Sequence, residues 1–480
     1  MLPAIIFAAL SVVLMAGILL DVLKIIRLSH PAVMGLGILL AENVPLILWW
    51  LEGDVLSSFA KPWRLACLIP ICALIFYLWI RANVFPVMDS QPVGIRLKIL
   101  RGGVYLGRLA LWTLFAQAAA LWIVYARWGG REIPIALCIV NGVYSLCTLL
   151  FLFANAGLRL FFTSRRLSLF PRLLMLLTLW VPLINLVVLG YVCRLAQEEY
   201  QMACEREALH RTRAESAVCQ TRYPLILVHG VLFRDLKYFN YWGRIPRELI
   251  RNGATVFYGG QEAVGTIEDN AQQLRERILE VVAQTGCQKV NLIAHSKGGL
   301  DARYAVSKLG MGEYVASLTT LNTPHRGCRF VDKACRLPEG FYRFIARVVN
   351  AVFRRLGDRN PDFYTATHQF TTQNSEQFNR AVPDVPGVYY QSYMSKMKGG
   401  FSDGLLALTY YIIRPLEGEN DGLVSLASAP WGEFQGVFES SRRRGISHGD
   451  MIDLKREDYR GFRVLDAYVD MVASLKQKGF

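Results

Sequence analysis

The chain has 480 residues, 53% of them hydrophobic, and a formal net charge of +15 at pH 7. The first 195 residues carry 16 Lys+Arg against 6 Asp+Glu, and the remainder carries 37 against 32. This composition excludes an ordinary soluble enzyme, and the absence of a basic stripe in the second part argues against a nucleic-acid partner.

Six apolar segments are predicted to cross a membrane, because each is close to the length that spans about 30 Å of hydrocarbon. They are Pro3–Leu23, Val33–Trp50, Leu65–Ile80, Leu109–Tyr125, Ile133–Ala154 and Leu173–Cys193. No basic residue precedes the first segment, which we therefore interpret as an anchor and not as a cleaved signal peptide. Residues 1–195 are predicted to form an all-α transmembrane bundle of about six helices.

The loops between these segments alternate in basic content, which predicts sidedness by the positive-inside rule. Loops after the first, third and fifth segments hold 11 basic residues, and loops after the second and fourth hold four. The first group is Lys24, Arg27, Arg81, Arg96, Lys98, Arg101, Arg108, Arg159, Arg165, Arg166 and Arg172; the second is Lys61, Arg64, Arg127 and Arg131. An even number of crossings puts the C-terminal domain on the extracytoplasmic side, and one miscounted segment moves it to the cytoplasm.

A few polar residues lie inside or at the ends of the apolar segments, namely Glu42, Asn43, Asn141 and Asn185. Polar groups within a membrane are candidates for function. Only Glu42 is ionisable, and the asparagines are expected to form hydrogen bonds between helices.

Residues 196–220 are charged and favour a helix, so we interpret them as a stalk that leads to a catalytic domain at 221–480. Short apolar runs at Pro224–Val228, Ala254–Tyr258 and Lys289–Ala294 alternate with helical patterns at Tyr241–Asn252 and Ile267–Thr285. This alternation predicts an α/β fold with a mostly parallel sheet.

The third run leads directly into a candidate nucleophile, Ser296, and a helical pattern follows. Small residues two positions before and after a serine allow the sharp strand-to-helix turn that exposes its hydroxyl. Here those positions hold Ala294 and Gly298. The pattern therefore predicts a nucleophile elbow, in which His295 packs beneath the turn.

A serine hydroxyl needs a base, and the chain order of this type of site is nucleophile, acid, histidine. Three histidines follow Ser296. His325 lies too close behind the nucleophile, and His368 precedes the best position for the acid. His448 is therefore the predicted base.

The acid that orients the histidine is predicted to be Asp421, in a turn-rich loop 27 residues before His448. Asp384 and Asp403 are alternatives, whereas Asp450 is too near the histidine in sequence.

The oxyanion that develops during acyl transfer needs backbone donors. The Lys297 amide, directly after the nucleophile, is one candidate. Val231 is the other, because Gly230 allows the backbone after the first strand to turn toward the substrate. His229 precedes Gly230, and we expect it to make a structural hydrogen bond within this loop.

Several short motifs resemble the bacterial triacylglycerol lipase family of α/β hydrolases between residues of about 223 and 448. They are VHG at Val228–Gly230, AHSKGG at Ala294–Gly299, NTPHRG at Asn322–Gly327, NDGLV at Asn420–Val424 and SHGD at Ser447–Asp450. The resemblance implies an α/β-hydrolase fold and assigns the nucleophile to Ser296, the acid to Asp421, the base to His448 and the oxyanion amides to Val231 and Lys297. It also implies a bacterial cell membrane as the location.

Two departures from the family pattern matter. The family's Gly-Thr-Pro segment has Asn322 in place of glycine. Some members bind a structural calcium near the catalytic histidine; Asp450 matches one ligand, but no second carboxylate is in register. No cofactor is expected to be required, and calcium at Asp450 is the one metal suggested.

Residues 328–367 contain a strongly amphipathic helical pattern. Its apolar positions are Phe341, Phe344, Ile345, Val348, Val349, Val352, Phe353 and Leu356, and its basic positions are Arg343, Arg347, Arg354 and Arg355. One interpretation is a helix packed on the core. The other, which we favour, is a lid over an acyl-binding cleft that also contacts membrane lipids.

These patterns together predict a membrane-anchored serine ester hydrolase that acts on a lipid or long-acyl ester. The same machinery would serve an acyltransferase or a lipid-remodelling phospholipase. A membrane scaffold with an inert hydrolase domain is the alternative without enzymatic activity.

Overall fold

The computed structural model describes residues 2–23, 30–57, 59–87, 93–128, 133–214, 217–232 and 240–480. The chain divides into two compact units, Met1–Ala208 and Leu209–Phe480. The stretch predicted as a stalk is mostly helical and belongs to a helix, Pro182–Ala214, that begins in the preceding apolar sequence.

The N-terminal unit is all helical within the described residues. Its helices are α1 Leu2–Val22, α2 Pro31–Glu42, α3 Val44–Trp50, α4 Lys61–Val84, α5 Ile95–Trp128, α6 Ile135–Thr163, α7 Leu169–Leu177 and α8 Pro182–Ala214. A π-helical turn, Leu51–Val55, continues α3. Helices α5 and α6 pack along each other, and α4 packs against α1 and α2.

The number of membrane-crossing helices differs from the six predicted. Within the described residues, three helices are long and apolar enough, with windows at Cys67–Val84, Ile95–Val124 and Ile135–Thr163. The bent pair Pro31–Glu42 and Val44–Gly53 makes a fourth if it counts as one span. The predicted count of six is therefore not confirmed; three crossings would reverse the predicted sidedness, and four would retain it. Lys24, Arg27 and Arg131, which entered the charge comparison, lie outside the described residues.

Helix breaks explain part of this difference. The second predicted span bends by 75° between α2 and α3, and the sixth is divided between α7 and α8. Proline lies in the first turn of both α3 and α8, as Pro45 and Pro182. Because proline has no N–H and clashes with the preceding turn, it begins a helix but does not continue one.

The C-terminal unit is built on one six-stranded sheet. Its strands are β1 Leu225–Val228, β2 Val256–Tyr258, β3 Val290–His295, β4 Val315–Leu321, β5 Tyr389–Ser395 and β6 Glu433–Phe438. Their order in the sheet is β2-β1-β3-β4-β5-β6, and all neighbours are parallel.

Helices cover both faces of this sheet. They are α9 Ile245–Arg251, α10 Ile267–Thr285, α11 Gly298–Lys308, α12 Arg329–Ala334, α13 Glu339–Arg355, α14 Phe363–His368, α15 Thr372–Ala381, α16 Ala407–Glu417 and α17 Val464–Gln477. Leu225 and Leu227 of β1 belong to the core formed with α9 and α17. Ile226 and Val228 belong to the core formed with α10 and α11.

The alternation along β1 follows from the two-residue period of a strand, and burial on both faces explains why the strand is apolar throughout. The predicted α/β-hydrolase fold, with apolar helices before it, is thereby confirmed. Since the carboxyl ends of parallel strands share one edge, residues that follow β1, β3 and β4 come together there.

Candidate active site

The turn after β3 holds Ser296 in a strained backbone conformation, with φ +55°. A non-glycine residue adopts such a positive φ only where the surrounding structure enforces it. Gly298 opens α11 directly beyond the turn. A Cβ on Gly298 would lie 2.4 Å from the carbonyl oxygen of His229 and 2.7 Å from that of Val228. Only glycine therefore allows the helix to approach β1 this closely.

Gly230 brings the loop after β1 against the serine. A Cβ at this position would lie 2.8 Å from the Cβ of Ser296 and 2.8 Å from the Tyr241 hydroxyl. The ring nitrogens of His229 lie 2.8 Å from Gly230 O and 2.9 Å from Gln261 O. His229 thus ties this loop to the one after β2.

The structure brings the predicted acid and base into direct contact. The Nδ1 of His448 lies 2.7 Å from Oδ2 of Asp421, whose side chain is fully buried. The backbone amide of His448 also donates to the Asp421 carbonyl oxygen, at 2.9 Å. Because a carboxylate accepts the Nδ1 proton, the Nε2 of the neutral imidazole carries the lone pair.

Ser296 lies beside this pair through its neighbour His295, whose ring centroid is 4.4 Å from that of His448. Ser296 is 9% exposed, and its amide donates to Leu321 O at 2.9 Å. Within the described residues, no hydrogen bond joins the Ser296 hydroxyl to His448. Catalytic hydrogen bonds often tighten only when substrate is bound.

The two alternative acids are engaged elsewhere. Asp384 accepts a hydrogen bond from Trp431 Nε1 at 2.9 Å. Asp403 accepts from the Ser447 hydroxyl at 2.9 Å and pairs with Lys455 at 3.1 Å. Of the three candidate carboxylates, Asp421 is therefore the one in contact with His448 Nδ1.

His295 is fully buried, and its Nδ1 lies 2.7 Å from the Tyr241 hydroxyl. Burial, assisted by the neighbouring His448, holds the pKa of His295 well below its usual value. This imidazole is neutral in the folded protein.

His325 and His368 lie away from the acid–base pair. His325 stacks on Trp431, with ring centroids 5.3 Å apart, and its Nε2 lies 3.0 Å from the Thr320 hydroxyl. The Nδ1 of His368 lies 2.7 Å from Tyr364 O.

The two proposed oxyanion amides are available as donors. Within the part of the chain that the structure describes, neither Val231 N–H nor Lys297 N–H donates to a backbone acceptor. Val231 follows Gly230, and Lys297 follows Ser296, so both amides border the serine. Two N–H groups beside the serine can therefore donate hydrogen bonds to the oxyanion that develops during acyl transfer.

The Lys297 side chain points into the protein and is fixed there by a buried ion pair. Its Nζ lies 2.6 Å from Asp301 Oδ1, with both side chains 1% exposed. It also donates to Thr266 O at 3.3 Å. Burial raises the pKa of Asp301 to about 6 despite the opposing effect of Lys297. Sequence analysis identified the Lys297 amide but not this side-chain anchor.

Asn322 is a site residue that sequence analysis did not recognise. It follows β4 with φ +49°, the left-handed region that glycine and asparagine tolerate. Its side-chain amide donates to Asp421 Oδ2 and, at 2.7 Å, to Ser395 Oγ. The family glycine is thus replaced by a residue with the same backbone freedom, which also holds the acid.

Asp450 does not fit a calcium ligand. Its carboxylate pairs with the Arg444 guanidinium at 2.8 Å and accepts from the Ser447 amide at 3.0 Å. No group of three or more His, Cys, Asp or Glu side chains suited to a metal occurs among the described residues. Calcium binding normally needs six or more oxygen ligands, so no step is assigned to this metal.

Helix α13 lies in the predicted lid region and exposes its apolar face. Tyr342 and Ala346 are the residues that it buries. Five apolar residues, which we call the apolar surface, are between 47% and 56% exposed: Phe341, Phe344, Val348, Val352 and Leu356. These five residues are not packed on the core, whereas Ile345, Val349 and Phe353 of the same face are partly buried.

Comparisons with known proteins agree with this architecture. Residues 225–351 match the family model described as "Putative serine esterase (DUF676)". Triacylglycerol lipase 2 of Saccharomyces cerevisiae is 28% identical over 272 residues, which cover 51% of this chain and 78% of the yeast protein. The triacylglycerol lipase of Burkholderia plantarii is 34% identical over 186 residues, 36% of this chain and 51% of the relative.

A third relative, the triacylglycerol lipase of Pseudomonas fragi, is 28% identical over 297 residues that cover 54% of this chain and 98% of its own. Among solved structures, the Staphylococcus hyicus lipase is 18% identical, with a TM-score of 0.42 and coverage of 54% and 98%. The matched family and relatives are esterases and lipases. The C-terminal unit is therefore similar to lipases and serine esterases over this range, and these relatives support a lipase-family hydrolase domain that acts as a carboxylic ester hydrolase.

Proposed function

We propose that Ser296, His448 and Asp421 form a catalytic triad that hydrolyses a lipid or other long-acyl ester. The observation that carries this proposal is the 2.7 Å contact between His448 Nδ1 and Asp421 Oδ2. It lies beside a serine held at φ +55°. An oriented imidazole beside a serine held in a strained turn is the arrangement that acyl transfer requires.

In this mechanism His448 Nε2 accepts the proton of Ser296 Oγ, and Oγ bonds to the acyl carbonyl carbon. The amides of Val231 and Lys297 stabilise the resulting oxyanion. Collapse of this intermediate breaks the ester C–O bond, and His448 returns its proton to the departing alcohol oxygen. Water then attacks the acyl-enzyme while His448 accepts one of its protons. The carboxylic acid leaves, and the proton returns to Ser296.

The apolar surface of α13 supports a lipid substrate. About half of each of its five side chains is exposed to solvent, and a soluble enzyme gains nothing from such an arrangement. Arg347 on the same helix provides positive charge for anionic headgroups, whereas Arg343 pairs with Glu339 at 2.7 Å. We propose that α13 is a lid that contacts the lipid surface and admits the acyl chain.

We also propose that the N-terminal unit anchors the enzyme in a membrane. Large apolar side chains on α5 and α6 face outward, among them Trp112 at 74%, Trp122 at 70% and Phe162 at 75% exposure. Their exposure in water would be unfavourable, whereas lipid would cover them. Retention of the intact chain in alkali-washed membranes tests this anchoring, and its release by alkaline carbonate would contradict it.

An activity-based fluorophosphonate probe, which modifies activated serines, tests the triad. We expect labelling of the intact protein in membranes and its loss in Ser296→Ala and His448→Ala. Ser441→Ala, which removes an exposed serine after β6, serves as the control and should label normally. Equal labelling of wild type and Ser296→Ala would refute the assignment, as would failure of wild type to hydrolyse p-nitrophenyl esters.

A further inference from the structure

A second polar site lies in the N-terminal unit, where α2 and α3 meet. Glu42 is the last residue of α2, Val44 is the first of α3, and the axes differ by 75°. Asn43 separates them with a non-helical backbone, and Pro45 prevents the hydrogen-bond ladder from continuing. Asn43 donates to the carbonyl oxygens of Leu40 and Leu39, at 3.1 and 2.8 Å, and the remaining carbonyl groups of the last turn of α2 carry the negative end of the helix dipole.

Side-chain amides from α5 and α6 converge on Asn43. Asn43 and Gln117 exchange two hydrogen bonds, at 2.6 and 3.0 Å. Asn141 donates to Asn43 Oδ1 at 3.1 Å. Each of these three side-chain amides thus donates at the junction, as expected for asparagines that connect helices.

Several oxygen acceptors on residues at this junction have no hydrogen-bond partner among the described residues. Glu42 is completely buried, and neither of its carboxylate oxygens has a hydrogen-bond partner among the described residues. Asn141 Oδ1 is also buried without a partner there. The Thr113 hydroxyl of α5 lies within hydrogen-bonding reach of the Glu42 carboxyl group but donates to Ala110 O, at 3.3 Å. Three buried oxygen atoms without partners therefore belong either to the last residue of α2 or to a residue hydrogen-bonded to Asn43 at the break.

Another buried carboxylate in this unit, that of Asp21, is compensated by a neighbouring cation. Asp21 pairs with Arg81 at 3.2 Å and accepts from the Tyr77 hydroxyl at 2.5 Å. Glu42 has no comparable cation among the described residues that surround it. An ionised carboxylate in a dry interior is strongly unfavourable unless a positive charge compensates it.

We propose that Glu42, Asn141 Oδ1 and the carbonyl end of α2 form a binding site for a monovalent metal cation such as Na⁺. One carboxylate balances one positive charge, and neutral amide and carbonyl oxygens complete a shell of hard ligands. Divalent cations usually recruit more than one carboxylate. Interrupted helices with carbonyls at the break are a general way to coordinate Na⁺ within a helical membrane domain. The site is separate from the hydrolase unit and does not depend on the proposed triad.

Thermal unfolding of the purified full-length protein in detergent tests the site. We expect Tm to rise by several degrees when choline chloride is replaced by NaCl at constant ionic strength, because a ligand that binds only the folded state stabilises it. Glu42→Gln, which keeps the shape and removes the charge, should abolish this response. Glu52→Gln alters an exposed carboxylate in the π-helical turn and should retain it.

A second variant keeps the test informative if Glu42→Gln folds poorly. Asn141→Ala removes one ligand and should raise the Na⁺ concentration for half the response by about tenfold. Fluorophosphonate labelling of the same samples reports separately on the hydrolase unit. The proposal is overturned if wild-type Tm is equal in Li⁺, Na⁺, K⁺ and choline, or if Glu42→Gln still responds. A wild-type Tm that depends on pH through Glu42 but not on Na⁺ would also overturn it, since a proton alone would then occupy the site.

Discussion

Replacing Asn322 with glycine removes one donor to the Asp421 carboxylate and leaves the backbone free to keep φ at +49°. Two other donors remain, because the amides of Leu423 and Val424 bind Asp421 Oδ1 at 2.9 and 2.7 Å. The oxygen that loses its support is Oδ2, the one that contacts His448.

The size of the effect follows from this contact. A hydrogen bond to a charged group contributes about 1.5–3 kcal/mol, and the carboxylate is fully buried. If this whole contribution were lost in the transition state, kcat would fall by roughly 10- to 150-fold, because 1.36 kcal/mol corresponds to a factor of ten in rate. Since Oδ1 remains held, we expect Asn322→Gly to lower kcat about tenfold with little change in KM.

Hydrolysis of a soluble p-nitrophenyl ester gives kcat and KM, and Tm reports on folding. Asn322→Asp should be more damaging, because a second carboxylate would face Asp421. Asn291→Ala is a matched control: Asn291 is equally buried and hydrogen-bonded, to Ser317 and Tyr223 O, but lies at the opposite end of β3. It should lower Tm and preserve kcat. If Asn322→Gly keeps kcat within twofold of wild type, the assigned role of the side chain is wrong.

Further predictions concern the turn, the buried histidine, the apolar surface and metal dependence. Gly298→Ala should lower the free energy of unfolding by about 2 kcal/mol or more and abolish esterase activity, because the added Cβ would lie 2.4 Å from the carbonyl oxygen of His229. Gly340→Ala is the control: its Cβ would have no neighbour within 4 Å, so Tm and activity should both stay unchanged. Burial keeps His295 neutral in the folded state, whereas in the unfolded chain its pKa is about 6.5. Below pH 6.5 the unfolded chain therefore binds a proton that the folded protein does not, and the free energy of unfolding should fall by up to about 1.4 kcal/mol per pH unit. Tm measured from pH 7.5 to 5 should therefore fall less steeply in His295→Asn, and parallel curves would contradict this. Phe344→Glu should reduce hydrolysis of emulsified long-chain esters about tenfold, since one aromatic side chain contributes about 1.5–3 kcal/mol on burial in lipid. Hydrolysis of p-nitrophenyl acetate should not change. Gln284→Glu, at an exposed position of α10, should affect neither reaction. EDTA should leave ester hydrolysis unchanged, and a loss restored by Ca²⁺ would require a metal site other than Asp450.

Helix α10 shows what local sequence can predict about the fold. Its predicted and observed bounds coincide at Ile267–Thr285. Thr266 caps the first turn by accepting from the Asp269 amide, and Gly286 ends the helix at φ +67°. Both signals are visible in the sequence, and so is the apolar stripe between them.

Strand β5 shows where such reasoning fails. Tyr389–Ser395 contains buried polar residues that interrupt the apolar pattern of a central strand. Gln391 is satisfied by the Thr319 hydroxyl at 2.8 Å, and Ser392 by Trp431 at 2.7 and 2.8 Å. These partners come from β4 and from the approach to β6, so the strand becomes recognisable only once the sheet is assembled.

The helical unit shows a related failure. A hydropathy window averages across Asn43 and Pro45, so it joins α2 and α3 into one straight segment. The local signal for a break was present, but its 75° angle depends on packing against α5 and α6.

The candidate site was predictable to the extent that motif order and spacing determine it. Chain order selected His448, and the loop composition selected Asp421. The role of Asn322 was not predictable in this way, because its contact with Asp421 joins positions 99 residues apart. In the sequence, the only indication of this role was that asparagine replaces the family's glycine at position 322. That replacement can be interpreted only once the positive φ of the residue is known.

The segment between β4 and β5 enters and leaves the sheet at adjacent strands, which pair from Ser317 with Tyr389 to Leu321 with Tyr393. Helices α12 to α15 therefore form an exchangeable module: the sheet fixes its two attachment points, and an exchange has to preserve contacts such as that of Asp358 with the amides of Ala263 and Val264. Exchanging this module between related enzymes is a rational route to altered acyl-chain preference. The strand register provides the splice points, so no new backbone geometry has to be designed.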